Sequence, residues 1–488
     1  MKARTSILCL LTALALAGCH SQSAPQFKLS EDTDSLAPYA SQALQNELEA
    51  GFGTPSSFVV WPQLPVDFGT YSGDVASVLQ SGGGGSVVLA GDGLIPATDQ
   101  ALESRLASLQ GSAVIFAAAA EEPLAADSAE AGSESDATAE AESTGEESAP
   151  AAVYRVGSYD PETKTLQVVD ADGSPAAIDA QEGDSIQVIG DGLQRGRNLY
   201  HRHCVHCHGS SGDGDGPTAK YFNVRPRDYR KGIFKFTSTK TEVRASRDDL
   251  YRMIKLGAPG TYMPSFMLLP DDEVSALVEY VRWLAMRGEM EGKLYVEFYI
   301  DHSKEDPAGK DDFNETWAAD AADVIESAGD ELNQDWALAE QEDQIVFPVY
   351  LKGNPEEKPV GEALPRTPYS PESIARGRKL FMDAKSAANC FSCHGEKGRG
   401  NGASTEQRQK LPSGELAEKP GLFDAWGNKV KPRNLTMGLY RGGRRPIDIY
   451  RRIHAGIKGT PMPGAGDKLT PDQTWDLVNY VLSIPTQK

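Results

Sequence analysis

Four cysteines and two histidines stand in a pattern that chemistry can use: Cys204-Val205-His206-Cys207-His208 and Cys390-Phe391-Ser392-Cys393-His394. Two thiols three residues apart share one turn of chain, so both reach the vinyl groups of one porphyrin, and the next histidine is held beneath the iron. This C-x-x-C-H pattern marks c-type haem attachment. A thioredoxin-like redox pair and half of a zinc site also use C-x-x-C. A histidine directly after both pairs favours haem.

The start of the chain supplies an address. Lys2 and Arg4 precede an apolar run from Ile7 to Ala17, the layout of a secretory signal. The run ends in Leu16-Ala17-Gly18-Cys19, which resembles the bacterial lipoprotein signal. That resemblance implies removal of residues 1–18 and attachment of lipid to Cys19. Acyl chains then hold the protein on a membrane without crossing it. No later segment has the roughly 18 consecutive apolar residues that a spanning helix needs. The expected location is the periplasmic side of a bacterial membrane, inner or outer. With Cys9 in the signal and Cys19 lipidated, four cysteines remain in an oxidising compartment, yet they are not spaced as a disulfide framework.

The surroundings of the two motifs repeat. Gly196-Arg197-Asn198-Leu199-Tyr200 precedes the first and Gly377-Arg378-Lys379-Leu380-Phe381 the second, each with an aromatic four residues after the glycine on one helical face. Arg225-Pro226-Arg227-Asp228 and Lys431-Pro432-Arg433-Asn434 follow. Leu250 to Ile254 then precedes Gly257 and Met263-Pro264, as Ile449 to Ile453 precedes Gly456 and Met462-Pro463. Closing helices are expected over 273–284 and 473–484, the second opened by Thr470-Pro471-Asp472-Gln473, a capping box. Such a matched series argues for internal duplication.

The series resembles the class I cytochrome c family, whose fold runs from a first helix into C-x-x-C-H, through a methionine loop, to a last helix packed across the first. The resemblance implies two tandem domains, 195–287 and 372–488, and two covalently bound haem c groups. Cys204 and Cys207 would bind one, with His208 and Met263 on its iron and Pro226 giving a carbonyl to the other ring nitrogen of His208. Cys390, Cys393, His394, Met462 and Pro432 would correspond in the second copy. Such a hydrogen bond fixes the tautomer and raises the ligand's basicity. Gly196 with Tyr280 and Gly377 with Tyr480 would let the terminal helices cross closely. The second copy carries about twenty extra residues between His394 and Pro432, which suggests a different cover for its haem edge. Met267, four residues beyond Met263, is an alternative ligand; His201, His203, His206 and His454 read as surface or pocket residues, with bis-histidine ligation an alternative. Methionine ligation favours ferrous iron over bis-histidine.

The net charge of -22 makes a nucleic acid an unsuitable partner for the whole chain, but it is unevenly spread. Residues 195–257 hold 14 Lys and Arg against 6 acids, and 372–464 hold 18 against 8. Residues 27–150 hold 2 against 20, and 287–371 hold 7 against 21. The basic haem regions could steer an acidic redox partner, or pair with the acidic segments of the same chain.

The 488 residues thus read as mainly α, with a small mixed or β N-terminal region. Residues 19–120 form a region of unknown function, with short strands expected over 57–61, 86–90 and 113–117. Residues 121–150 have the composition of a disordered acidic linker. Residues 151–194 form a hairpin-like lead-in, and 288–371 an acidic connection with one helix over 315–341. The function expected is single-electron transfer between respiratory-chain partners such as a respiratory complex or terminal oxidase, as an electron carrier and not an enzyme. The alternative is a dihaem peroxidase with one open iron, against which the two Met-Pro loops argue.

Overall fold

The computed structural model describes residues 26–486 apart from 62, 82–83, 97–108, 110–111, 118–153, 171–173, 306–308, 347–365, 386–388 and 411–413. The signal, Cys19 and the acidic segment 121–150 lie outside the described residues.

The N-terminal region closes into a barrel. Its strands are β1 (Thr70–Ser81), β2 (Gly84–Leu89), β3 (Ile95–Pro96), β4 (Ala113–Ala117), β5 (Tyr154–Asp160), β6 (Thr165–Val169) and β7 (Ser185–Ile189). They pair antiparallel in the order β2-β6-β5-β4-β7-β1-β3, and a further β1–β2 pairing closes six of them on themselves. Alternation drives this: in β2 every second residue is buried. The interior is apolar, with Tyr71, Val87, Leu166, Ile186 and Val188 in one cluster. The hairpin expected within 151–194 is present as β5–β6, but it is no separate lead-in. It shares one sheet with β2 and β4, so residues on both sides of the acidic segment form one unit. The expected strand at 57–61 contributes only a single bridge between Gly53 and Phe58.

The barrel feeds directly into the first repeat. After β7 only Gly190 precedes α2 (Asp191–His203), and the Tyr71 hydroxyl donates to the buried Asp191 carboxylate at 2.8 Å. An earlier helix, α1 (Pro38–Phe52), buries Leu44, Leu48 and Phe52 in the core of that repeat. The short α3 (Val205–His208) and α4 (Arg247–Leu256) follow, then α5 (Asp271–His302). α5 continues well past the expected end at 284, because Trp283, Met286, Met290, Leu294 and Phe298 extend its apolar face onto α1 and α6 (Lys310–Leu338). The second repeat has α7 (Pro371–Met382), α8 (Cys390–His394), a hairpin of β8 (Leu422–Phe423) and β9 (Lys429–Val430), α9 (Pro446–His454) and α10 (Pro471–Ser483). The capping box forms as expected: Gln473 N donates to Thr470 Oγ1 at 3.2 Å, and Thr470 N donates to Gln473 Oε1 at 2.9 Å.

First and last helices cross in each repeat, α2 on α5 and α7 on α10. A side chain at Gly196 would overlap the Ala276 carbonyl and meet Tyr280; one at Gly377 would overlap the Asp476 carbonyl and meet Tyr480. Only hydrogen fits there.

The acidic connection folds onto the first repeat. Arg282, fully buried, donates to Glu340 at 2.8 Å and to the Pro65 carbonyl at 2.9 Å. Arg244 pairs with Glu289 at 2.9 Å and Asp335 at 3.1 Å. Part of the basic surplus is therefore neutralised within the chain.

The two repeats also meet each other, through corresponding surfaces. Arg252 on α4 lies 4.0 Å from Asp448 on α9. Arg451, at the position equivalent to Arg252, is pulled down to about 10 by burial and by Arg252, against Asp249, at the position equivalent to Asp448, and Asp448 itself. Gly260 abuts Tyr440 and Arg441, while its counterpart Gly459 abuts Ile233. Gly442 N donates to the Pro259 carbonyl at 3.0 Å, and Lys458 donates to Thr239 Oγ1 at 2.7 Å and to the Val243 carbonyl. Burial is the main influence on Lys458 and pulls its ammonium down to about 8.

Two measurements test this packing. Gly377→Ala is expected to cost about 1–3 kcal/mol in the second repeat through forced helix separation, read as a lower denaturant midpoint. For Lys458 the unfolded chain, with the ordinary value of 10.5, holds the proton that the folded chain loses above about 8. Stability contributed by this group rises between about pH 8 and 10.5. Lys458→Met removes that part of the slope, measured as Tm against pH for the two proteins.

Candidate functional site

In both repeats a helix delivers the motif onto one tight turn. His208 N donates to the Cys204 carbonyl at 2.9 Å, which wraps Cys204, Cys207 and His208 around a single helical turn. Cys390 to His394 form the equivalent turn in α8, entered from Asn389 in a left-handed conformation. All four cysteines are free and half-buried. Burial pushes the Cys204 and Cys390 thiols up to about 12. An attacking redox thiol must be a thiolate, so this burial opposes the thioredoxin-like reading. A thioether is neutral and tolerates it. Among the described residues no group of three or more His, Cys, Asp or Glu is placed to hold a metal ion.

Each histidine is held by one ring nitrogen. His208 Nδ1 lies 3.1 Å from the Arg227 carbonyl, and His394 Nδ1 lies 3.2 Å from the Arg433 carbonyl. A carbonyl only accepts, so Nδ1 carries the proton and donates, and the lone pair is on Nε2. His208 stacks on Tyr229 with centroids 4.8 Å apart. Burial pulls the His208 imidazolium down to about 4, against the Arg227 carbonyl, and lowers His394 likewise. Both rings are neutral at ordinary pH, the state an iron ligand requires.

The carbonyls correct the expectation for Pro226 and Pro432, because each acceptor belongs to the following arginine. The Pro226 carbonyl faces Gly214, where a side chain would come within 2.7 Å of it, and the Pro432 carbonyl faces Gly400. Both glycines have positive φ, +71° and +75°. Their own amides donate back to the His208 and His394 carbonyls at 3.0 and 2.8 Å. The proline thus docks against the turn after the motif and presents the next peptide to the imidazole. Sequence reading saw the repeated Pro-Arg pair but assigned the wrong peptide within it; Tyr229 had no signal that separated it from other core aromatics.

The methionine loops are alike in detail. Ala258 N donates to the Met263 carbonyl at 3.2 Å and Ile457 N to the Met462 carbonyl at 3.0 Å. Thr261 Oγ1 accepts from Met263 N at 3.2 Å, as Thr460 Oγ1 does from Met462 N at 3.3 Å. Both hydroxyls donate to the carbonyls of Ala258 and Ile457. The loop is therefore shaped by its own backbone and one threonine hydroxyl. Met263 is half-buried in the cluster that includes Cys204 and Val205, whereas Met267 is 62% exposed. His206 is exposed, His201 and His203 are half-buried, and His454 stacks on Tyr450. The residues present fit haem c at both motifs: two half-buried thiols on one turn, a neutral imidazole with its lone pair on Nε2, and a thioether-bearing loop held by its own hydrogen bonds.

A family model for cytochrome c matches residues 193–285 and 374–485. No curated protein matches the chain. Among solved structures, a chain of the reducing HAO-like protein complex of Kuenenia stuttgartiensis is similar at 25% identity, over 59% of this chain and 95% of that chain, with a TM-score of 0.39. This finding corrects the expectation of an electron carrier that is not an enzyme: the similar chain comes from a HAO-like protein complex, and the exclusion of an enzyme is not retained.

For the methionines, Met263→Ala in the haem-loaded protein is expected to lower the reduction potential of the haem at Cys204 and Cys207 and to open its iron to carbon monoxide. Met267→Ala is expected to change neither. Redox titration and difference spectra of the two variants decide between them.

Proposed function

We propose that this chain, two of whose segments are cytochrome c domains, binds two haem c groups and passes single electrons between redox proteins, as the electron-transfer part of a redox assembly. The observation that carries the reading is the completeness of both sites. Each has its own thiol pair, its carbonyl-held imidazole and its closed Met-Pro loop. Haem c, when bound, supplies a one-electron ferric–ferrous couple.

The chain's own residues do the rest. Cys204 and Cys207, with Cys390 and Cys393, would fix each porphyrin through thioether bonds. The Arg227 and Arg433 carbonyls hold His208 and His394 in one tautomer and orientation, with Nε2 left to meet an iron. Met263 and Met462 would offer each iron a second protein ligand through their thioethers.

The address written before the mature chain supports tethering through lipid on Cys19 at the periplasmic side of a bacterial membrane. Among the described residues no helix is long and apolar enough to cross a membrane. The basic surplus around both motifs supports redox partners with acidic docking surfaces, such as a respiratory complex or terminal oxidase. The lysines and arginines not taken up by Glu289, Asp335 and Glu340 would meet them.

The visible spectrum of the reduced protein, with and without carbon monoxide, tests the closed sites. An unchanged spectrum is expected. A shift in about half of the haem would show one iron open to substrate and would overturn the reading of two closed irons. Cys19→Ser is expected to release the protein from membranes into the soluble fraction.

A further inference from the structure

The extra residues of the second domain reach the first. Between His394 and Pro432 the β8–β9 hairpin carries Trp426 at its turn, and the ring lies 3.8 Å from the Arg227 guanidinium. The turn is firmly built. The Asp424 carboxylate accepts from Trp426 N at 3.1 Å and Asn428 N at 2.9 Å. Ala425 N donates to the Gly459 carbonyl at 2.9 Å, and Lys231 from the first domain donates to the Ala425 carbonyl at 3.3 Å.

Arg227 is also the residue whose carbonyl holds His208. Its side chain begins at the first motif's ligand and ends against the second domain. Its Nε and Nη2 are buried without a hydrogen-bond partner, and so is Trp426 Nε1. Buried N–H groups are nearly always paired in folded proteins, and here three are left together, two of them on a guanidinium. Burial pulls Arg227 down to about 10, against Asp424 and Asp228, so it stays charged at ordinary pH. Asp424 is already engaged by the amides of its own turn. The orphaned donors call for an acceptor from outside the chain, and a planar guanidinium fork matches a carboxylate. The cofactor that the neighbouring thiols would bind carries two carboxylates, its propionates.

We infer that Arg227 and Trp426 together receive a propionate of the haem attached at Cys204 and Cys207, so that the second domain completes the first domain's haem site. The inference rests on the haem reading of that motif. A fixed cation beside this haem favours its reduced form. Arg227 and Trp426 are then positioning residues that set the potential of one haem of two.

Redox titration of the full, doubly loaded chain tests this, with the wave of the first haem assigned by its fall in Met263→Ala. Arg227→Gln keeps the carbonyl that holds His208; it is expected to lower the first haem's potential and leave the second unchanged, and Arg227→Lys to recover part of the shift. Trp426→Phe keeps a ring over the guanidinium and removes the N–H. It is expected to move the first haem's potential although the residue belongs to the second domain. Unchanged potentials in both Arg227→Gln and Trp426→Phe, or a shift confined to the second haem, would overturn the inference. If Arg227→Gln does not fold, Trp426→Phe alone decides. Mass spectrometry of the same preparations separates this from failure of the haem reading itself, which would appear as no covalent haem at Cys204 and Cys207.

Discussion

The close crossing of first and last helices is the constraint on which each cytochrome c domain depends. At Gly196 and Gly377 one helix backbone rests on a carbonyl of the other, with no room for a methyl group. The motif is tied to the end of the first helix, and the methionine loop leads into the start of the last. Fixing the crossing therefore fixes the two halves of the site relative to each other. Short backbone hydrogen bonds finish the work locally, so the shape of the site does not depend on long polar side chains.

Much of this was legible because it is written in repeated small spacings. The C-x-x-C-H motifs, the glycines of the crossing, the Met-Pro loops and the Thr470 capping box all depend on neighbours within a few residues, and all are where the pattern placed them. The carbonyl that holds each histidine was misplaced by one residue. Sequence marks a proline but not which of two adjacent peptide planes faces the ring, and that choice is made by Gly214 and Gly400 some distance away. The barrel was legible only as fragments. β4 and the β5–β6 hairpin carried local patterns, whereas β1 and β7 take their pairing from each other across more than a hundred residues, which short-range alternation does not report. The overrun of α5 has the same cause. Residues beyond 284 are helical because α1 and α6, distant in sequence, supply apolar surface to cover.

The uneven charge acquires a structural meaning. Arg282 is fully buried, yet it keeps its charge partners because the acidic connection brings Glu340 to it and the Pro65 carbonyl accepts a second bond. Burying a guanidinium is tolerable only with charged and carbonyl partners of this kind. The acidic stretch after the first domain is thus in part a fitted counterpart to it, and the chain's average charge describes neither piece.

The contact between the two domains is reciprocal: Arg252 faces Asp448 while its counterpart Arg451 is drawn by Asp249. Reciprocity of this kind is the signature of an isologous interface, in which one patch recognises its own copy. Two separate copies of such a patch would meet only as often as their concentration allows. Joining two copies end to end turns that encounter into an intramolecular one, with a local concentration set by the connecting segment and no longer by expression level. The Trp426 hairpin is on one side only, so the two halves meet as unlike partners within a single polypeptide.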